Sequence, residues 1–217
     1  MRQRRVKNLD EKLTALSSHM IENPEEHKGK WHEVFGNDNP IYLELGCGKG
    51  KFISTHAAKY PDRNFIGAEG QPTVILRALE KAEELGEKNL FFICGFVRDV
   101  REYFAPGEIA GVYLNFSDPW PKSKHGRRRL TYHEKLTAYT EVMREGGFIE
   151  IKTDNEGLFE FTLEQIEEAG LTTIEMTRDL HAEGATVQNA DAREITTEYE
   201  DKFVGTGKNI NYVKVQG

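Results

Sequence analysis

Cysteine is scarce in this chain: Cys47 and Cys94 are the only two in 217 residues, and they form no Cys-x-x-Cys pair. A disulfide framework is excluded, and a reducing, cytoplasmic setting is expected. Long apolar runs are missing too. The longest, 90–97, is eight residues broken by Gly95, against the ~20 needed to span a bilayer. The opening MRQRRVKNLDEK has no apolar segment behind its charges, so no signal peptide is expected. The seven histidines include no His-Glu-x-x-His and no paired-ligand spacing, so no metal site is expected. Internal repeats and low-complexity tracts are absent.

Cations are outnumbered, 29 against 36 acids, for a net charge of −7. Their distribution is uneven. Residues 122–129 read KSKHGRRR, with five positive residues and no acid, and Arg2, Arg4, Arg5 and Lys7 form a second stretch. Setting those nine cations aside leaves 20 against 36, or −16 for the rest. Two dense basic stretches on an acidic chain suit contact with a polyanion. A solvated loop is the plainer reading of either run alone.

At 38% hydrophobic and 30% charged residues the chain reads as globular. Residues 1–38 are polar and weakly periodic, with Leu9, Leu13 and Leu16 allowing a short helix, and read as an arm packed on a domain spanning 39–217. From Pro40 onward strands and helices alternate. Strands are predicted at 41–45, 64–68, 90–94, 111–116, 148–152, 172–176 and 211–215. Helices are predicted at 51–59, 72–85, 132–144 (ending at Gly146-Gly147) and 156–169. This order predicts an α/β fold with a doubly wound, mostly parallel seven-stranded sheet and an antiparallel end strand. Residues 180–207 form a polar excursion too long for an ordinary connection, and read as a substrate-binding insertion. Within it Thr197 and Glu200 fit a helix capping box.

The first strand runs into Glu44-Leu45-Gly46-Cys47-Gly48-Lys49-Gly50. Glycines here let the backbone turn tightly and approach a ligand. Lys51 stands where a dinucleotide fingerprint needs its third glycine, and the Gly-Lys-Ser/Thr ending of a P-loop is missing. An acid ahead of Gly-x-Gly-x-Gly resembles the turn of S-adenosylmethionine-dependent methyltransferases. Glu69 ends the second strand, where a carboxylate can accept from both hydroxyls of a ribose. After the fourth strand comes Asn115-Phe116-Ser117-Asp118-Pro119-Trp120-Pro121-Lys122. Ligands of such sheets lie beyond the carboxyl ends of the strands, so Asp118 is expected to share a crevice with Gly46 and Glu69. Two prolines stiffen this loop and its indole offers a stacking face.

NFSDPWPKSKHGRRRLT closely resembles the signature of the bacterial tRNA (guanine-N7)-methyltransferases. The likeness extends over nearly the whole chain, through FGNDNP (35–40), LELGCGKGKF (43–52), GAE (67–69), KTDNEGLFEF (152–161) and TEYEDKF (197–203). The Asp-Pro-Trp-Pro block with its trailing arginines is its most specific part. The resemblance implies a Rossmann-like class I fold and transfer of a methyl group from S-adenosylmethionine to N7 of guanosine 46 in the variable loop of tRNA. It implies that Glu44, Gly46, Gly48, Gly50, Glu69, Phe96 and Asp118 bind the cofactor and that Asp118 is catalytic. It further implies that Lys122, Asp154, Thr197, Glu198, Tyr199 and Glu200 bind the substrate, and that Lys124, His125, Arg127, Arg128 and Arg129 contact RNA. The chain is expected to act as a monomer or homodimer, with tRNA as partner and without membrane or metal.

One position departs from the family. Phe96 stands just after the third strand, where an acid usually meets the adenosyl group. Phenylalanine can pack against adenine but cannot accept a hydrogen bond from its exocyclic amine, and Asp99 offers a substitute through a local shift. That departure is the one feature favouring the other reading, a catalytically weak RNA-binding protein on the same scaffold. A methyltransferase acting on small molecules or proteins is disfavoured by the dense basic loop.

Overall fold

The computed structural model of the chain describes residues 6–185, 187–205 and 207–217. Arg2, Arg4 and Arg5 of the first basic stretch therefore lie outside the described residues. Seven strands form one sheet: β1 (Ile41–Leu45), β2 (Asn64–Glu69), β3 (Leu90–Cys94), β4 (Ile109–Asn115), β5 (Met143–Thr153), β6 (Thr172–Thr177) and β7 (Asn211–Gln216). Their order is β3-β2-β1-β4-β5-β7-β6. The first five strands pair in parallel, and β7 runs antiparallel to both β5 and β6. Strand order reverses between β1 and β4, and that switch point opens a crevice at the strands' carboxyl ends.

Helices cover both faces. On one lie α2 (Trp31–Phe35), α5 (His133–Val142) and α6 (Glu156–Glu168), whose Trp31, Leu136 and Phe159 join Leu43 and Val112 of the sheet. On the other lie α3 (Lys51–Lys59) and α4 (Pro72–Leu85), whose Phe52 and Leu79 meet Tyr42 and Tyr113. Side chains alternate along a strand. Ile41, Leu43 and Leu45 of β1 therefore enter the first cluster, while Tyr42 enters the second and Glu44 falls on its side.

The N-terminal segment packs against this body. Helix α1 (Leu9–Ala15) rests on α4, the Ile21 amide donates to the Phe92 carbonyl at 2.8 Å, and Trp31 is wholly buried. Among its described residues the 180–207 excursion holds two short helices, α7 (Ala190–Glu194) and α8 (Glu198–Val204).

Expected boundaries shift around α5, β5 and β4. Helix α5 stops at Val142 rather than Arg144, ahead of Gly146-Gly147, and β5 begins at Met143 rather than Phe148. Met143 already pairs with Ile109 across the sheet, and the register resumes at Gly111 and Phe148. The glycine pair sits inside that irregular stretch, where Gly146 takes φ 74°, instead of ending a helix. Strand β4 ends one residue early, since Phe116 turns to φ 51°.

Candidate functional site

The loop after β1 builds the floor of the site. The amides of Gly46 and Cys47 donate to the Ala68 carbonyl at 2.8 and 3.1 Å, folding the turn back over β2. Gly46 has φ 77°, and a Cβ on it would meet nothing within 4 Å, so the backbone there faces open space. Gly50 has a different task. A Cβ there would fall 2.7 Å from Cβ of Ala78, so the missing side chain lets the start of α3 close on α4.

Glu69 stands at the end of β2 with its carboxylate already oriented. One oxygen accepts from the Gly48 amide at 3.2 Å and the other from the Gln71 amide at 2.8 Å. Each oxygen keeps a second lone pair for a ligand hydroxyl. Glu44 lies deeper, 1% exposed. Its Oε1 accepts from Asn115 Nδ2 at 2.9 Å, whereas Oε2 has no hydrogen-bond partner. Burial raises its pKa to about 8, assisted by the charges of Glu198 and Glu69 and opposed by Asn115 and Lys152.

The segment after β4 is held under strain. Phe116 (φ 51°) and Trp120 (φ 40°) both adopt the left-handed conformation that non-glycine residues avoid. Asp118 lies between them, exposed in the cleft. Arg129 fixes the loop from below: its Nε donates to the Pro119 carbonyl at 2.9 Å and Nη2 to the Trp120 carbonyl at 3.1 Å. Its guanidinium also covers the Phe161 ring at 4.1 Å. Arg128 lies over the Trp120 indole at 5.0 Å, and His125 meets that indole edge-on at 5.7 Å. Lys122 and Lys124 are exposed.

These parts converge on a cleft of about 730 Å³. Of the residues singled out by sequence, Gly46, Glu69, Phe96, Asp118, Arg127 and Arg128 line it. Gly48, Gly50 and Glu44 do not reach its wall; they shape or underlie its floor. Asp99 is turned to other work. Its carboxylate caps the turn at Val100–Glu102 and grips Arg101 at 2.7 Å, so it is not turned to the place of the acid that the resemblance leads one to expect at position 96.

The insertion is pinned onto this framework. Lys51 pairs with Asp201, Lys81 with Glu198 at 2.7 Å, and Lys59 with Asp191 at 2.6 Å. The capping box is formed: Thr197 Oγ1 accepts from the Glu200 amide at 2.9 Å while Glu200 Oε2 accepts from the Thr197 amide at 3.4 Å. Glu200 is 0% exposed and also bonds Lys152 Nζ at 3.2 Å and His181 Nε2 at 2.8 Å. Tyr199, in contrast, is 44% exposed. Its ring packs on Phe116 (centroids 5.0 Å apart), and its hydroxyl donates to Asp154 at 3.4 Å. Asp154 also pairs with Lys208.

Sequence reasoning missed several members. Lys152 reads as an ordinary strand residue, and only the return of the insertion shows it as a buried cation. Arg98 and Lys135, both lining the cleft, sit in no motif. Among the described residues no helix is long and apolar enough to cross a membrane.

A seven-stranded sheet of this order, with a glycine turn after β1, an acid closing β2 and a strained acidic loop after β4, defines a Rossmann-like methyltransferase. A family model described as "Putative methyltransferase" matches residues 38–213. A tRNA (guanine-N(7)-)-methyltransferase of Streptococcus suis is 44% identical over 216 residues, covering 100% of this chain and 99% of its own. A Geobacillus kaustophilus protein of the same name is 42% identical over 200 residues, 92% of this chain and 89% of its own. The chain belongs to the tRNA (guanine-N7)-methyltransferase family. Solved structures share the fold at low identity. One titled as an antibiotic related methyltransferase has a TM-score of 0.63 at 13% identity, covering 93% of this chain and 97% of that one. The 16S rRNA methyltransferase KamB has 0.61 at 12%, covering 86% and 91%.

Proposed function

We propose that this protein transfers a methyl group from S-adenosylmethionine to N7 of guanosine 46 in the variable loop of tRNA. The observation that carries the reading is the shared cleft, in which Asp118 and Glu69 meet Arg127 and Arg128. Carboxylates suited to a cationic, ribose-bearing cofactor thus adjoin cations suited to phosphates. The choice of position 46 follows the family resemblance.

The residues present fit S-adenosylmethionine. Glu69 would take the ribose hydroxyls, Gly46 would let the cofactor approach the backbone, and Phe96 would pack against adenine. The partnerless Oε2 of buried Glu44, beneath the floor of the cleft, would become the partner of the cofactor's ammonium on giving up the proton that burial holds on it. When bound, the cofactor supplies an electrophilic methyl group.

Guanine N7 bears no proton, so no general base is required, and the chain's work is positioning and electrostatics. Asp118 stabilises the positive charge that develops on the guanine. Asp154 accepts from the guanine N1–H and N2–H edge or holds Tyr199 in place, and the exposed Tyr199 ring provides a stacking face. Thr197 and Glu200 act on substrate through the helix they cap, Glu198 through its pairing with Lys81. Lys122, Lys124, His125, Arg127 and Arg128 contact phosphates, and Arg129 keeps their loop in shape.

The test is methyl transfer from labelled S-adenosylmethionine to two unmodified tRNA transcripts, one with guanosine and one with adenosine at position 46. Incorporation into the first alone is expected. Incorporation into both discards the position, and none into either discards the enzyme reading in favour of an RNA-binding scaffold.

A further inference from the structure

Four cations line the cleft: Arg127 and Arg128 of the basic segment, Arg98 from the β3–β4 connection, and Lys135 in the first turn of α5. Arg127 is engaged by Tyr132 and Arg128 by Trp120. The side chains of Arg98 and Lys135 make no hydrogen bond or ion pair among the described residues. The acid that Lys135 feels, Asp99, is committed to Arg101 through contacts of 2.7 and 2.9 Å.

Lys135 is badly placed for stability alone. It is half-buried, it lacks a counter-ion, and burial pulls its pKa below the ordinary lysine value. It also sits at the end of α5 where the aligned peptide dipoles are positive, which disfavours a cation. Packing does not demand an ammonium there, since a methionine would fill the same stem. The cleft-lining position gives it a use if an anion enters. Four cations exceed what the single carboxylate of a bound S-adenosylmethionine needs, and the segment that carries Arg127 and Arg128 also carries the exposed Lys122 and Lys124. That continuity favours a polyanion strand.

We propose that Arg98 and Lys135 together bind a backbone phosphate of the RNA strand beside the target nucleotide, forming a second phosphate site apart from the basic segment. The proposal rests on the tRNA reading. It gives α5 and the β3–β4 connection a part in docking that no motif announces.

The experiment compares wild type, Arg98→Ala, Lys135→Met, Lys135→Arg and the double variant Arg98→Ala/Lys135→Met on an unmodified tRNA transcript across a salt series. Binding of S-adenosylmethionine is measured calorimetrically and melting temperature is recorded. Losing one phosphate contact should reduce the slope of log affinity against log salt by about 0.7 to 0.9 in the double variant. Lys135→Arg should keep the wild-type slope. Cofactor affinity should stay unchanged, and Lys135→Met should melt no lower than wild type. An unchanged slope in the double variant, with wild type binding and methylating tRNA, overturns this proposal alone. A fall in cofactor affinity with the slope intact assigns the cluster to the cofactor instead, and a lower melting temperature for Lys135→Met marks a structural lysine. Wild type binding tRNA without salt dependence overturns the tRNA reading and this proposal with it.

Discussion

The Phe96 ring sits so close to Gly70 that a Cβ on that glycine would fall 2.2 Å from a ring carbon. The side chain reaches from the end of β3 to the end of β2, where it walls the cleft next to Glu69 while remaining 69% exposed. An aromatic ring this exposed has apolar area left to bury, and a flat heterocycle would bury it. An acid, which the resemblance leads one to expect at this position, would offer a hydrogen bond; the Phe96 ring presents a flat apolar face beside Gly70 instead.

Gly70→Ala should therefore displace the ring and weaken cofactor binding. Phe96→Ala should do so as well, by about tenfold if stacking contributes ~1.4 kcal/mol. Calorimetric titration with S-adenosylmethionine checks both. Unaltered affinity in Phe96→Ala removes the residue from the cofactor site.

Asp118→Asn should keep tRNA affinity and lose turnover by roughly a hundredfold or more, as for removal of one electrostatic stabiliser. Single-turnover methyl transfer and filter binding separate the two effects. A near-normal rate would leave Asp118 without the role assigned to it.

Arg129 and Arg128 are neighbours in sequence with different work. Arg128→Ala should weaken RNA binding and lower the salt slope by about 0.7 to 0.9. Arg129→Ala removes the donors held by the Pro119 and Trp120 carbonyls. It should slow turnover with little change in slope. Salt titrations of the two variants decide, and equal slope losses would make Arg129 a phosphate contact too.

Lys152 and Glu200 are both about wholly buried, 3.2 Å apart. Burial lowers the lysine's pKa and Glu200 opposes that shift. Removing Lys152 leaves buried Glu200 with only His181 and the Thr197 amide, and removing Glu200 leaves the ammonium with only the Ile195 carbonyl, so Lys152→Met or Glu200→Leu should each cost ~3–5 kcal/mol of stability, with the double change costing far less than their sum. Urea denaturation of the three variants gives the coupling. Additive losses would show that the pair does not act as a unit.

Much of the site could be read from sequence because it is built from contiguous segments. Glu69 ends β2, Gly46 directly follows β1 and Asp118 lies in the loop just past β4, and parallel strands bring their ends together. The helical period of α4 was equally plain. The α5–β5 boundary was not, because Gly146-Gly147 has the composition of a helix stop, while pairing of Met143 with Ile109 ends the helix first. Arg129 was read with its basic neighbours, since nothing local shows it turned toward the carbonyls of Pro119 and Trp120. Lys135 and Arg98 line one cleft because α5 packs on the turn at Val100–Glu102, a contact between distant segments. The Thr197–Glu200 capping box was visible because it is local; the burial of Glu200 against Lys152 and His181 was not.

His56 gives the protein a weakness toward acid. It is 2% exposed, its Nδ1 has no hydrogen-bond partner, and its ring lies 5.1 Å from Tyr113 and 4.6 Å from Phe52. Burial lowers its pKa from 6.5 to about 3, with the Asp191 carboxylate pulling the other way. Above pH ~6.5 the imidazole is neutral in both folded and unfolded chains and contributes no pH dependence. Below that value the unfolded chain takes up a proton that the folded chain refuses, so stability falls, by ~2 kcal/mol at pH 5 from this residue. Glu44 acts at the other end: its carboxyl keeps its proton to about pH 8 when folded and loses it near 4.5 when unfolded. Its contribution falls as pH rises through that window. His56→Phe, which keeps a ring in the aromatic cluster, should therefore flatten the loss between pH 6.5 and 5, and Glu44→Gln should flatten the loss between pH 5 and 8 in the cofactor-free protein. Urea midpoints at pH 5, 6.5 and 8 test both, and a His56→Phe profile parallel to wild type between pH 6.5 and 5 would place the acid sensitivity elsewhere.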